Sequence, residues 1–483
     1  MKRWPATEKT APIHPRVDKY CPALAAFFDS RSSHSSESFR MPHLQFKDLL
    51  ISFTSEFLPL WNDLGSGAHK AVSLWRPSTS ADALGQFFPV GDIATDSYRN
   101  INQRKIVAVV SDANKVDGTA LRSPEDYQLV WKDTDSGART DFSIWRPLAP
   151  EGYVAMGLVC GVGYEKPSRN AVRCVRADLV VNAKPGDLIW NDYGSGASKD
   201  FSAWSITPPD AEPGEIYLAP GTFIGNARYA KPDLPTYALR LDLTAQPGEP
   251  LSPPALTGYE PPATEETPAP PRVCELPWFC VKDPELSTNE QLLSSPTYRL
   301  ERTDRHQFAG FGHNTSVTSQ PFMWTATKGE IGDYSLALSA ISRVSMWRKW
   351  SASLRPFQLS FSANLEPAFT HTQRSAKGWN YASPLEIITY IPAQKAVAAY
   401  LIQSEYRLLR QDGSQVAATV TYINGDHIYM SEYPKDQPVP DVSENELPEP
   451  LPTTEVALEH AAAQTEPALE IAGHDLVNET IAP

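Results

Sequence analysis

Cysteine is scarce in this sequence, and its placement excludes a metal site built on closely spaced cysteine pairs. The chain has 483 residues and five cysteines, none of them separated from another by two residues. An odd number of cysteines in a chain of this length predicts reduced, structural thiols rather than a disulfide framework. Cys274 and Cys280 flank Pro277-Trp278, which leaves one disulfide between them as the alternative.

The sequence also lacks the short motifs that identify common enzyme classes. It contains no Gly-x-Ser-x-Gly, no His-Glu-x-x-His and no Walker or dinucleotide glycine pattern, and its ten histidines are scattered. We therefore predict a protein that is not an enzyme, with no catalytic residue, no metal and no cofactor. An unrecognised hydrolase is the third-ranked alternative.

Long apolar runs are missing as well. The longest strongly apolar run lies near Ala396 to Ile402, far short of the roughly 20 residues that a membrane-spanning helix needs. The first residues, Met1 to Pro5, include two basic side chains but are not followed by the apolar segment of a signal peptide. We predict a protein that is cytoplasmic as made and, if it is released, leaves by a non-classical route.

Positive charge is in short supply, with 43 lysines and arginines against 57 acidic residues and a net charge of -14. This balance argues against a nucleic-acid partner, which needs a basic surface. Residues 435–483 contain eleven of the acidic residues, one lysine, many prolines and no aromatic residue, and are predicted to be a disordered tail. Two roles stay open for this tail: restraint of association with membranes and other copies, or solubility alone.

What the sequence has is a motif that occurs three times. Its pattern is Trp-x-Asp-x-x-Ser-Gly-Ala, and a second tryptophan lies fourteen positions after the first in every copy, at 61 and 75, 131 and 145, and 190 and 204. A spacing kept three times indicates duplication of one structural unit. Turn residues and short β-rich runs follow each motif, which predicts about four strands a unit. We predict a pseudo-threefold β-prism over residues 45–245, with units at about 60–112, 129–181 and 188–243.

The repeated residues have two interpretations. The paired indoles are predicted to fill the core, each N–H donating to a carbonyl oxygen. The aspartate beside the Ser-Gly turn either caps that turn or binds a ligand such as a sugar hydroxyl or a cation. The candidate ligand-binding residues are Asp63, Ser66, Gly67, Asp133, Ser136, Gly137, Asp192, Ser195 and Gly196.

Several sequence segments in the second copy, and in the residues that follow it, resemble a known family. The matching segments are Phe142 to Pro147, Glu151 to Val154, Tyr164 to Pro167 and Val172 to Val175. They resemble the vacuolar protein sorting-associated protein 62 family over about residues 42–243, which implies a β-prism-like domain and no enzymatic activity. The third copy departs from the pattern, with Ser205-Ile206 where the other two have Arg-Pro. The three copies therefore need not bind alike.

The rest of the chain is predicted to contain a second domain. Residues 1–44 are predicted to be an arm, and 246–273, with nine prolines between 247 and 271, an extended linker. Residues 274–434 are predicted to be mostly β and elongated. Apolar and small polar residues alternate at 334–340 and at 357–365, which predicts strands. A hairpin is predicted from residues 396–410 and 416–422, with Asp412-Gly413 in the turn between them.

The serine-rich alternating strands leave two functional alternatives open. They belong either to an antiparallel sheet with one wet face or to strands that refold into a membrane pore, an architecture that resembles aerolysin-like pore-forming toxins. The leading hypothesis is a toxin-like protein whose prism binds a surface glycan or lipid of a target-cell membrane and whose second domain forms a pore as a homo-oligomer. The runner-up is a lectin-like or lipid-binding adaptor without pore formation.

Overall fold

A computed structural model of the chain describes residues 43–435, apart from gaps at 82–83, 115–118, 244, 247, 249–250, 263–267, 332–343, 345–349, 355–358, 367–368 and 370–381. The predicted arm up to residue 42, the predicted tail from residue 436 and the alternating run at 334–340 lie outside the described residues. Within the described ranges, every helix is too short or too polar to span a bilayer.

Residues 44–242, called the three-unit region below, fold into three consecutive units of short strands. The first unit contains β1 (Leu44–Phe46), β2 (Leu49–Thr54), β3 (Phe57–Asn62), β4 (Ser73–Pro77), β5 (Ile93–Thr95) and β6 (Val107–Asp112). The second contains β7 (Leu121–Arg122), β8 (Asp126–Lys132), β9 (Phe142–Leu148), β10 (Tyr153–Val154), β11 (Val159–Val162) and β12 (Cys174–Arg176). The third contains β13 (Val180–Asn191), β14 (Ser202–Thr207), β15 (Glu215–Ala219), β16 (Ile224–Asn226) and β17 (Thr236–Asp242).

Each unit pairs its strands in the same antiparallel way. The motif lies on a central strand pair with a third strand beside it: β3-β4-β5, β8-β9-β11 and β13-β14-β16. The strand before the motif pairs with the strand that closes the unit, as β2 with β6, β7 with β12 and the start of β13 with β17. The pairing register shifts immediately before Trp61, Trp131 and Trp190. Such a bulge re-aims the next side chain, so the same irregularity directs each indole.

Residues 272–433, called the C-terminal region below, form longer strands. They are β18 (Arg272–Pro277), β19 (Thr297–His313), β20 (Gln320–Ile331), β21 (Trp350–Leu354), β22 (Leu359–Asn364), β23 (Ser383–Ile391), β24 (Ala396–Leu409) and β25 (Val420–Tyr433). One sheet has the order β18-β19-β24-β25-β20-β23. The predicted hairpin is confirmed as β24 and β25, and Gly413 in its turn has φ +86°. A short helix, α1 (Thr288–Ser294), begins with a capping box from Ser287 and Glu290.

Strand β22 leaves the C-terminal region and joins the third unit. It pairs with β15, so the sheet of that unit continues through β15 to β22 and β21. The alternative of a solvent-exposed serine face does not hold for this strand, because Ser360 and Ser362 are buried. Ser360 Oγ donates to the Ile206 carbonyl oxygen at 2.9 Å, and Ser362 Oγ accepts from Ala211 N at 2.8 Å. These serines therefore satisfy backbone groups of the third unit.

The two regions also share a hydrophobic core. Phe53 of β2 packs edge-on against Trp278 and Phe279, with ring centroids 5.2 and 5.8 Å apart. Cys274 and Cys280 lie in the same core as separate thiols, so the alternative of a disulfide between them is wrong. The all-β class is confirmed, whereas the threefold β-prism, the linker and the domain bounds stay predictions.

Candidate functional site

The first tryptophan of each motif lies in one shared cluster. Trp61, Trp131 and Trp190 are all buried, as the repeat predicts. Their ring centroids are 6.2 to 6.5 Å apart in all three pairings, and each pair is edge-on. The similar distances and ring angles mean that the three units contribute equivalent side chains to this cluster.

Hydrogen bonds from these indoles run in a closed ring through the units. Each Nε1–H donates to a backbone carbonyl oxygen of the next unit, and the third unit returns to the first. The acceptors are Thr140 O for Trp61 (2.8 Å), Lys199 O for Trp131 (2.7 Å) and Lys70 O for Trp190 (2.8 Å). The motif therefore joins units to one another as well as filling a core, since every indole needs a partner when buried.

The three predicted aspartates, two residues after these tryptophans, are only 2 to 4 % exposed. In each case Oδ1 accepts from the backbone N–H nine residues later, and the backbone oxygen accepts from the serine three residues later. The Oδ1 donors are Val72 for Asp63 (2.9 Å), Phe142 for Asp133 (2.8 Å) and Phe201 for Asp192 (2.8 Å). This is the arrangement that the turn alternative predicts.

A tyrosine from the second half of each unit is also bonded to the aspartate. Tyr98 is paired with Asp63, Tyr164 with Asp133 and Tyr229 with Asp192. Burial, with the neighbouring carboxylate adding to it, raises the pKa of Tyr98 to about 12. Sequence reasoning missed this pairing, although the tyrosine recurs after every motif.

Burial also acts on the aspartates themselves. It raises the pKa of Asp133 and of Asp192 above the usual aspartate value, although backbone and tyrosine hydrogen bonds oppose it. These carboxylates are therefore harder to ionise than exposed ones, because burial penalises the charged form.

The predicted serines and glycines build the turns. Ser66, Ser136 and Ser195 are buried, and each Oγ accepts from the backbone N–H two residues later at 3.1 Å. Gly67 has φ +77°, and a Cβ there would lie 3.2 Å from the Gly194 carbonyl oxygen of the third unit. Glycine at this position therefore permits both the backbone conformation and the close approach of the turns.

The structure thus brings the three turns, which contain all nine predicted residues, next to one another. Backbone hydrogen bonds link the turns in a second ring, from His69 N to Tyr193 O, Arg139 N to Leu64 O and Ser198 N to Thr134 O. Among the described residues no group of three or more histidine, cysteine or acidic side chains is placed to hold a metal ion. Ligand binding by these turns stays a prediction.

A second candidate surface lies on β20 and β23. Met323 pairs with Ile388, and Pro321 pairs with Tyr390, so the four side chains share one face at one end of the strand pair. Met323, Ile388 and Tyr390 are 66, 64 and 70 % exposed. We call these four residues the apolar strand patch.

The opposite face of β20 explains why the patch points outward. Phe322 and Trp324 pack over β19 where Gly312 and Gly310 leave room, and a Cβ at either glycine would overlap an aromatic ring. Trp324 Nε1 donates to Phe311 O at 3.0 Å. Because successive strand residues alternate in direction, the inward aromatics force Met323 outward.

The sequence of the three-unit region also matches a family model. Residues 29–240 match the model of the vacuolar protein sorting-associated protein 62 family. This match confirms the resemblance to that family that the sequence segments predicted. The match spans less than half of the chain and does not extend into the C-terminal region.

Two solved structures are similar to the chain. The crystal structure of GNIP1Aa from Chromobacterium piscinae is 28% identical with a TM-score of 0.33, and the match covers 39% of this chain and 34% of that one. The chain thus spans about a third of the length of GNIP1Aa. The crystal structure of Cry35Ab1 is 12% identical with a TM-score of 0.28, covering 81% and 91%. Both TM-scores are too low to transfer a fold or a function. No curated protein matches the chain.

Proposed function

We propose that the protein is a toxin-like protein of two regions that acts without an enzymatic step. The three-unit region binds a glycan or lipid on a target-cell surface, and the C-terminal region oligomerises on the membrane to form a pore. The observation that carries this proposal is the apolar strand patch. Single exposed apolar residues are common on soluble proteins, but a contiguous group on one face is typical of a surface that contacts a membrane or a partner.

The composition of the patch suits the boundary of a bilayer. Met323 and Ile388 are apolar, and Tyr390 adds a ring with a polar end, the kind of side chain that is enriched at membrane interfaces. The strand lengths also suit a membrane, because β20 has 12 residues and β19 has 17, against roughly 9 to 11 in a spanning strand.

Outside the tail, the net charge of the protein is too small to oppose its approach to a membrane. Of the net charge of -14, residues 435–483 contribute ten negative charges and residues 1–434 only four. The proposal includes no nucleic-acid partner, since a protein with this balance repels phosphate.

Dye release from vesicles tests the proposal. Vesicles made from lipid and glycolipid extracts of candidate target cells should lose dye when the full chain is added, whereas Met323→Glu combined with Ile388→Glu should bind but release little. Glutamate at these exposed positions adds charge that opposes burial in a bilayer. Leu293→Glu is the matched control, because Leu293 is 65 % exposed on α1, which is not one of the two strands of the patch.

Each outcome separates the proposal from its rival. Equal release by the wild type and the double variant would show that the patch has no part in it. Binding of the wild type without release would favour the second candidate function, a lectin-like or lipid-binding adaptor. The pairing of β22 with β15 favours that candidate, because it holds the C-terminal region against the third unit.

A further inference from the structure

The junctions between the three units are not equivalent. At the junction of units one and two, Arg76 forms a bidentate ion pair with Asp92 at 2.9 and 2.7 Å and also donates to Cys160 O at 2.9 Å. Asp92 is fully buried and accepts from Cys160 N at 2.7 Å. This junction is closed by a cation, a carboxylate and backbone groups of both units.

The junction of units two and three keeps the cation but not the carboxylate. Arg146 pairs across its strands with Gln128 in the register in which Arg76 pairs with Leu58. Leu158 takes the place of Asp92, since Asp92 N donates to Leu158 O and Leu158 N in turn donates to Phe223 O. The apolar side chain of Leu158 cannot neutralise Arg146.

A cavity of about 240 Å³ lies at this second junction. Its lining includes Arg146, Tyr153, Leu158, Ile224, Pro235 and Tyr237. The guanidinium of Arg146 has one hydrogen bond of 3.4 Å, to Gln128 Oε1, and no carboxylate pairs with it in the described part of the chain. Burial lowers the pKa of Arg146, which is the direction expected for a cation without a counter-ion.

The third junction does not repeat this arrangement. Ser205 stands at the position of Arg76 and Arg146, and its Oγ accepts from Asp187 N at 2.8 Å. Among the three junctions of the described chain, only the second therefore has an arginine that faces a cavity without a carboxylate. The departure of the third copy from Arg-Pro is the sequence signal for this difference.

We propose that the cavity at Arg146 is a binding site for a carboxylate carried on a ring-sized polar group, as in an acidic sugar. This inference deepens the proposed function and rests on it for the role of the three-unit region in surface recognition. The carboxylate of the ligand pairs with the Arg146 guanidinium from the cavity, and so has the role for Arg146 that Asp92 has for Arg76.

Three properties of the site favour this ligand class. A guanidinium presents a planar fork that matches a carboxylate in a bidentate pair. One arginine matches a single negative charge rather than the two of a phosphate monoester. A volume of about 240 Å³ suits one ring, since sites for larger ligands are roughly 300 Å³ and more. Tyr153 and Tyr237 add aromatic side chains to the lining.

Calorimetric titration of the full chain with sodium glucuronate tests the site. The wild type should bind glucuronate, and Arg146→Met should weaken binding at least about tenfold, because a hydrogen-bonded charge pair is lost. Leu158→Asp should weaken it similarly by supplying the internal carboxylate that the first junction has. Arg104→Met removes an exposed arginine that does not line the cavity and should leave binding unchanged.

The other probes define what would overturn the inference. Glucose should bind at least about tenfold more weakly than glucuronate, and equal binding would mean that the anion is not recognised. Tighter binding of glucose 6-phosphate would assign the site to phosphate instead. Absence of glucuronate binding by the wild type, or equal binding by Arg146→Met, would overturn the proposal outright.

These soluble probes keep this inference separable from the proposed function. Dye release that persists when glucuronate does not bind would remove the carboxylate site and leave the toxin-like function standing. Glucuronate binding without dye release would do the reverse, and would turn the protein into an acidic-sugar-binding adaptor.

Discussion

Around the tryptophan cluster, the buried aspartates accept hydrogen bonds mainly from backbone, whereas the aspartates of the C-terminal core form ion pairs with arginines. Trp131 donates to a backbone oxygen, and Asp133 accepts from a backbone N–H. In the C-terminal region, Asp283 is completely buried and forms a bidentate pair with Arg410 at 2.7 and 2.8 Å. Asp304 likewise bonds to Arg302 and Arg272, each at 2.8 Å.

The difference has a physical consequence for how each region loses stability. A buried aspartate without a cation resists ionisation, so the pKa of Asp133 is raised. For Asp283, burial alone would raise the pKa, but hydrogen bonds from Arg410 hold it below the usual value. The two regions should therefore respond to pH in opposite directions, and their cores should fail under different substitutions.

The largest expected effect is at the tryptophan cluster. Trp131→Ala should lower the free energy of unfolding by about 3 to 5 kcal/mol, because it leaves a cavity and removes a hydrogen bond between units. Trp204→Ala is the control, since Trp204 is half-buried and its Nε1 donates to Ser202 Oγ two residues away. Chemical unfolding measures both. An equal loss in the two variants would show that the cluster does not hold the units together.

The buried ion pair should come next. Asp283→Asn should cost about 3 kcal/mol, because Arg410 would keep a buried charge with the exposed Glu285 as its remaining carboxylate partner. Asp283→Leu combined with Arg410→Met should cost less than Asp283→Asn, since the double change removes both charges. If the double variant loses as much stability as the sum of the losses in Asp283→Leu and Arg410→Met made singly, the ion-pair account is wrong.

The pH dependence should be smaller, on the order of 1 kcal/mol for each pKa unit. Asp283 contributes stability above the usual aspartate pKa of about 3.9, and this is lost as pH falls through its lower folded value. Asp133 contributes stability below the usual aspartate pKa, and this contribution is lost as pH rises through the higher pKa that Asp133 has in the folded protein. Urea unfolding from pH 2 to 6 should show the cost of Asp283→Asn growing with pH and that of Asp133→Asn shrinking. If the costs of both substitutions changed with pH in the same direction, the proposed difference between the two regions would be wrong.

Much of the three-unit region was predictable because its information is local and repeated. The spacing of the tryptophans predicted three equivalent buried indoles. The spacing does not say which way each indole N–H points, so the hydrogen bond from each indole to the next unit was not predicted. Alternation likewise predicted a strand at β22 but not its partner, because period two fixes which side chains share a face and not which strand lies alongside.

The candidate site shows the same limit. The Asp-Ser-Gly residues were predicted to share a turn, and they do, but the sequence left open whether the turn or a ligand uses the carboxylate. The cavity at Arg146 was not predicted at all. It depends on Leu158 standing where the first unit has Asp92, an equivalence that the backbone hydrogen bonds from Asp92 to Leu158 and from Leu158 to Phe223 establish.

The smallest expected effect is at the turns, where a substitution separates the two roles of the aspartates. Asp133→Asn should lower the melting temperature by only a few degrees at neutral pH, because the amide oxygen can still accept from Phe142 N. Binding to glycan arrays and to vesicles then decides: a ligand role requires a loss of binding beyond any loss of stability. Tyr164→Phe is the matched control, because it removes a hydrogen bond to the same carboxylate without changing its charge. Weaker binding by Asp133→Asn alone would support a ligand at the turns, whereas unchanged binding by both variants would leave the carboxylate with the turn role, as its burial favours.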